Sequence, residues 1–326
     1  MLVLSRADLE RVLSPLDVVE AMAAAFRRYG DGRCTVPTRS GTTVGPDGVL
    51  LTMPAAFDDG DERGLGVKQI SVYPNNRERG HPTLYASYLL MDGSTGQPQA
   101  LIEGTYLTGI RTGATSALAA RLLARPDARR VACFGAGVQA RFQLLCLAAL
   151  RPLERVVVIG RNPERARAFA ESMRVSLGIP VEAGADPRRA AREAHLIVCA
   201  TTSADPVVFG DDLEPGTHLD AVGAFRPTER ELDGEAIRRA RVVVDTYAGA
   251  LEEAGDVLIP LREGIIDRAH VGAELAEVVT GRRPGRRSAD EITVFKSVGF
   301  ALEDLAAAQL AYNRARAQGI GKEVNL

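Results

Sequence analysis

The chain has 326 residues, of which 46% are hydrophobic and 25% charged, and its formal net charge is −2. That length allows two domains with a sizeable core, and the composition is that of an ordinary globular protein. A nearly balanced charge provides no broad basic field, so neither nucleic acid nor a membrane is expected as a partner.

The opening apolar run, "MLVL", soon meets charged residues, which predicts neither a signal peptide nor a membrane span and points to the cytoplasm. A helix is predicted for "SPLDVVEAMAAAFRRYGDG", with Ser14 as cap, Pro15 in the first turn and Gly30 as stop. Extended segments follow at "GVLLTMPAAF", "LGVKQISVYP" and "TLYASYLLMD", the last closing on an Asp92-Gly93 turn, and they predict a mixed or antiparallel sheet. "LTGIRTGATSALAARLLARPD" reads as one long helix beginning near Thr112 and stopped by Pro126.

Beyond it, strand-like runs "RRVACFG", "RVVVIG", "HLIVCATTS", "GTHLDAVGAF" and "ARVVVDTY" alternate with helical stretches, the signature of a parallel sheet with crossover helices. "EITVFKSVG" is a sixth strand. The last helix, "FALEDLAAAQLAYNRARAQG", is expected to cross back onto the N-terminal domain. The basic loop "GRRPGRRSAD", residues 281–290, reads as a solvated surface turn. Cys34, Cys133, Cys146 and Cys199 form no Cys-x-x-Cys and are expected to stay reduced. His81, His195, His218 and His270 are scattered, so no metal site is expected.

Two constellations carry chemistry. The first is Gly135-x-Gly137-x-x-Ala140, placed between a strand and a helix. In a dinucleotide turn Gly135 permits the tight bend, Gly137 lets a pyrophosphate approach, and Ala140 lets the helix pack closely. The diphosphate is then expected against the amides of Val138 and Gln139. The next strand ends Gly160-Arg161-Asn162, where an NAD-binding turn often has an acid for the ribose hydroxyls. Arg161, with Arg165 one turn on and Asn162 as a neutral donor, predicts a 2′-phosphate and hence NADPH rather than NADH. The alternative is a solvated arginine, with NADH as the cofactor.

The second is "GIRTGATSALAA". Arg111 is expected at or just before the helix start, with the Thr112, Gly113 and Ala114 amides open to a carboxylate or phosphate. Arg39 in "TVPTRSG" and Lys68 in "GLGVKQIS" are two further cations, each alone readable as a surface charge.

At "RTGATSALAARLLA", "FGAGVQARFQ", "VIGRNPERA" and "VGAFRPTERELD" the chain resembles the ornithine cyclodeaminase/mu-crystallin family, and the likeness runs from "LSRADLERVL" through "SVGFALEDLAAA". The resemblance implies an α/β fold in which a Rossmann-type doubly wound parallel sheet is inserted in a second, α+β domain for substrate binding and dimerisation. The boundaries expected are 1–115 plus 303–326 for the second domain and 116–302 for the Rossmann domain. It also implies a homodimer that moves hydride between a nicotinamide and the α-carbon of an amino or imino acid. By position, Arg39, Lys68 and Arg111 match the family's cations for the substrate carboxylate. Thr83 in "HPTLYAS" and Arg111 match cofactor contacts; Thr201 and Gly223 are expected beside the nicotinamide ribose, and Val298 and Gly299 in the pocket lining.

Two departures bear on activity. Phe225 stands where cyclodeaminases carry a catalytic aspartate, and Leu51 where the family has a glutamate before "LMP". Phenylalanine cannot manage the protons of a deamination. The "GAxRPxxxEL" form instead resembles the ketimine and Δ1-pyrroline-2-carboxylate reductases. The expected function is therefore an NADPH-preferring reductase of a five- or six-membered cyclic imino acid, with Lys68 as clamp and proton donor or relay. The alternatives are an ornithine or lysine cyclodeaminase, an alanine-type or opine-type dehydrogenase, and a non-catalytic ligand-binding protein of the mu-crystallin kind.

Overall fold

The computed structural model describes residues 1–325. Its internal contacts divide it into two units, Met1–Arg111 with Ala301–Leu326, and Thr112–Phe300. The first begins with β1 (Leu2–Leu4), α1 (Arg6–Val12) and α2 (Pro15–Gly30). Both helices start on a serine whose hydroxyl accepts an amide three residues on, and Pro15 fills the first position of α2. Val18, Val19, Met22, Ala25 and Phe26 fall on one face of α2 and are buried. Then come β2 (Cys34–Thr35), β3 (Ser40–Val44), β4 (Gly48–Asp58), β5 (Arg63–Val72), β6 (Leu84–Asp92) and β7 (Pro98–Glu103).

The helix α3 spans Gly104–Leu123 and so starts well before Thr112, against expectation. The reason is local: the Glu103 carboxylate accepts from the Thr105 and Tyr106 amides, both at 2.8 Å, and ends the preceding strand with a cap. Arg111, Thr112, Gly113 and Ala114 are therefore helix interior. Their amides serve the helix and are not offered to an anion.

The second unit continues with β8 (Arg130–Phe134), α4 (Val138–Leu150), β9 (Arg155–Ile159), α5 (Pro163–Leu177), β10 (Val181–Ala183), α6 (Pro187–Glu193), β11 (Leu196–Cys199) and β12 (His218–Ala221). After these follow α7 (Gly234–Arg239), β13 (Arg241–Val244), α8 (Tyr247–Glu253), α9 (Gly255–Arg262), β14 (Val271–Glu274), α10 (Leu275–Val279) and β15 (Thr293–Lys296). They build the expected Rossmann-type doubly wound parallel sheet, in the order β10-β9-β8-β11-β12-β15-β13-β14. Val131, Val156, Ile197, Leu219, Val242 and Val294, one from each of six strands, are all buried, the apolar interior expected of a parallel sheet. The order reverses between β8 and β11, so the loops that leave these two strands diverge and open a crevice at their C-terminal ends. Strands β10 and β14, of three and four residues, were not among the runs anticipated from the sequence.

The chain closes with α11 (Ala301–Gln318) and β16 (Lys322–Glu323), both part of the first unit. There the sheet runs β16-β1-β7-β6-β5-β4-β2, with β3 on β4, and α11 packs on α2 and across β4, β5 and β6. Its strands are antiparallel except for the β1–β7 pair. Among the described residues no helix is long and apolar enough to cross a membrane.

Candidate active site

Alternation along β5 turns Gly64, Gly66, Lys68 and Ile70 to the buried face of the first unit's sheet. An ammonium on that face needs a partner, and α11 supplies it. Lys68 Nζ donates to Asp304 Oδ2 at 2.6 Å, and Arg111 Nε donates to Asp304 Oδ1 at 3.0 Å. A third bond joins Arg111 Nη1 to Glu303. Lys68 and Asp304 are respectively 1% and 0% exposed, so the pair is dry. Glu303 and Asp304 lie in the first turn of α11, where carboxylates also complement the helix dipole.

Burial lowers the Lys68 pKa to about 8, helped by the neighbouring Arg111 charge and opposed by Asp304 and Glu303. Burial works against the Arg111 charge too, but Asp304 and Glu303 outweigh it and raise its pKa. Tyr88 sits directly across the ladder from Lys68. Its hydroxyl is buried without a hydrogen-bond partner among the described residues. Burial and Asp304 hold that hydroxyl in its neutral form.

Lys68 and Arg111 thus meet through one carboxylate. Arg39 precedes Ser40, which pairs with Thr52, and the next residue on that strand, Met53, is Lys68's cross-strand partner. It lies near the cluster in register. Thr83 does not: it precedes the Val72↔Leu84 rung, about 13 Å along the ladder from the Lys68↔Tyr88 rung.

In the second unit, the glycine turn leaves the end of β8. Gly135 has φ +117°, and a methyl placed on it would lie 2.4 Å from the Ala200 carbonyl oxygen. Only glycine lets the turn lie against the loop after β11. Gly137 caps α4 in extended conformation, and the space where its side chain would be is open. Val138 is exposed, Ala140 is buried, and Gln139 Oε1 is buried without a hydrogen-bond partner among the described residues. Open space, helix N-terminal amides and an unused buried acceptor fit a dinucleotide.

The end of β9 stands beside this turn, since a methyl on Gly160 would lie 3.9 Å from the Ala136 side chain. Arg161 and Arg165 are exposed there. Asn162 also has a structural role, and its N–H₂ is not engaged by that role. Its side-chain oxygen caps α5 by accepting the Arg165 amide at 3.0 Å.

Three buried acids missed in the sequence reading, Glu231, Asp256 and Asp245, organise the remaining loops. Glu231 Oε1 accepts from the Thr201 amide at 2.6 Å, while Oε2 accepts from the Gly223 and Ala224 amides at 2.7 and 3.3 Å. One carboxylate thereby joins the loops that leave β11 and β12, and Phe225, 40% exposed, follows directly on the second of them. Asp256 accepts from the Glu231 and Leu232 amides and pairs with Lys296 at 2.7 Å, which holds Glu231 in place. Asp245 Oδ2 accepts from Ser297 Oγ and from the Val298 and Gly299 amides at 2.8–2.9 Å. The signals were available: Glu231 is the acid of the "GAxRPxxxEL" pattern, and Glu303-Asp304 interrupts an alanine-rich helix.

A model of the ornithine cyclodeaminase/mu-crystallin family matches residues 1–319. The chain belongs to that family. A Δ1-pyrroline-2-carboxylate reductase of Bacillus cereus is 37% identical to this family member over 326 residues, 99% of each chain. Thermococcus litoralis Δ1-pyrroline-2-carboxylate reductase, solved with NADH and L-proline, is 43% identical with a TM-score of 0.95, over 99% of this chain and 100% of that one. An archaeal alanine dehydrogenase, solved as a dimer with bound NAD, is 32% identical with a TM-score of 0.93, over 100% of this chain and 99% of that one. The two reductases lie on the imino-acid branch that the Phe225 departure indicated.

Proposed function

We propose that this family member reduces cyclic imino acids, taking Δ1-pyrroline-2-carboxylate to proline or its six-membered homologue to pipecolate, with NADPH preferred to NADH. It is a nicotinamide-dependent oxidoreductase acting on carbon–nitrogen bonds, the class to which its reductase and dehydrogenase relatives belong. The observation that carries the finer reading is the buried bridge Lys68–Asp304–Arg111.

Lys68 and Arg111 are held side by side by Asp304 and Glu303, and in this reading Arg39 joins them at the acid group of a substrate. Pairing at Arg111 and Lys68 fixes the carboxylate and hence the adjoining C=N bond. With a pKa of about 8, Lys68 is largely an ammonium at neutral pH yet releases its proton readily. That proton goes to the imine nitrogen, and the C=N carbon becomes a stronger hydride acceptor. The reduced nicotinamide, when bound, supplies the hydride. Lys68, left neutral beside Asp304, regains its proton from water. Val298 and Gly299, whose amides are held by Asp245, are assigned to substrate binding in this reading.

The residues that would hold the cofactor are Gly135, Gly137 and the amides of Val138 and Gln139 at the diphosphate, Thr201 and Gly223 at the nicotinamide ribose, and Arg161 and Arg165 at a 2′-phosphate. Thr83 and Arg111 are further cofactor contacts in this reading. Phe225 has no proton to exchange, which supports reduction over deaminative cyclisation. A homodimer accompanies the proposal. The sheet face opposite Lys68 carries Pro54, Ala56, Leu65, Val67, Leu89 and Leu101, all apolar and none fully buried.

The test follows NADPH and NADH oxidation with five- and six-membered cyclic imino acids, with pyruvate plus ammonia as a control and the mass measured by sedimentation. Imine-dependent oxidation, faster with NADPH, is expected. Ammonia release from ornithine without imine reduction, or activity on pyruvate and ammonia alone, would overturn it.

A further inference from the structure

The basic loop at residues 281–290 does more than turn in solvent. Arg286 at its centre is half-buried, and its guanidinium donates to the carbonyls of Leu123 and Gly216 at 2.6 and 3.1 Å, which pins the loop to the second unit. So held, the loop forms one wall of a cavity of about 660 Å3. The cavity lies where parallel strands begin, since Pro215, Arg241 and Ile292 precede or open β12, β13 and β15, and Gly272 is the second residue of β14. Gly135 follows the end of β8, so the cavity and the glycine turn occupy opposite ends of the same sheet.

Five arginines line it: Arg238 and Arg239 from the end of α7, Arg241 from β13, and Arg283 and Arg287 from the loop. Arg238 is paired with Glu235 and Arg287 with Glu291. The others keep more of their charge. Arg239 donates to the Gly210 carbonyl and Arg241 to those of Gly285 and Pro284, acceptors that bring no negative charge. Arg283 approaches Glu277 only to 4.0 Å. Burial lowers the Arg241 pKa, and Arg287 and Arg283 lower it further against the pull of Glu291, so these cations crowd one another.

We propose that this cavity binds a small molecule bearing a chain of two or more phosphates, at a site separate from the glycine turn. Converging planar guanidinium forks match phosphate oxygens, and the volume is that of a small-ligand pocket. A polyanion relieves the repulsion among Arg241, Arg283 and Arg287, and it ties the loop to α7 and β13.

The probe is inorganic tripolyphosphate, titrated calorimetrically into the full chain saturated with NADH so that the glycine turn is filled. One site per chain is expected, weakened by added salt. Arg283→Glu with Arg287→Glu, both exposed, should weaken it by about tenfold or more, whereas the corresponding lysine pair retains most of the binding. NADH affinity, measured separately, should stay unchanged in both variants. No heat of binding for the wild-type chain, or equal binding by the glutamate double variant, would overturn the proposal.

Discussion

Lys68 and Asp304 are separated by 236 residues, yet their side chains meet at 2.6 Å in a dry interior. Asp304 also holds Arg111, so a single acid sets the spacing of two cations and the proton affinity of one. Both partners are groups whose burial alone would be costly, and each is tolerated because the other is present.

Asp304→Asn should shift the pH profile. The groups facing Lys68 are Asp304 and Glu303 from α11, Arg111 from α3 and Tyr88 from β6. Asp304 raises the Lys68 pKa against burial, so its loss lets that pKa fall below about 8. The alkaline limb of kcat/KM should then move to lower pH by roughly one unit or more. A limb that stays in place would remove Lys68 from proton transfer.

Stability should carry the same signature with a defined sign. Lys68 titrates near 8 when folded and near 10.5 when free, so between those values the unfolded chain binds the extra proton. Unfolding free energy should therefore rise with pH across that window, and Lys68→Met should flatten the rise. Urea melts at the two ends of the window measure it.

Arg161→Ser with Arg165→Ala should raise KM for NADPH by about tenfold, the loss of one or two charge-assisted contacts, and leave NADH nearly unaffected. Equal losses with both cofactors would return Arg161 to the role of a solvated charge.

Gly135→Ala should cost about 2 kcal/mol or more and abolish dinucleotide binding. It places a methyl 2.4 Å from the Ala200 oxygen and strains a backbone at φ +117°. Denaturant unfolding and NADPH titration report the two effects separately.

Glu231→Gln keeps the shape but turns an amide N–H₂ toward main-chain donors. With three main-chain amides dependent on the carboxylate, a loss of about 2–3 kcal/mol is expected, with weaker cofactor binding as the Thr201 and Gly223 loops separate. Unchanged stability would argue against Glu231 as the tie between them.

Local chemistry accounts for what could be read from the chain. Ser14, Pro15 and Gly30 bound α2 because caps and stops act within a turn of their own residues. The glycine turn was visible because a strand, two glycines and a helix are consecutive. The run of apolar strands between helices disclosed a parallel sheet for the same reason.

Distance along the chain hid the rest. The start of α3 depends on Glu103 and on the close approach of Gly104 to Ala86 and Ser87, so residue pattern alone placed it too late and gave Arg111 amides it does not have. Strands β10 and β14 exist because neighbours pair with them, not because of their own periodicity. Residue order settled which cations this protein carries. Only folding chose their counter-charges, because a buried ammonium takes whichever carboxylate the packing of α11 on β5 brings within reach.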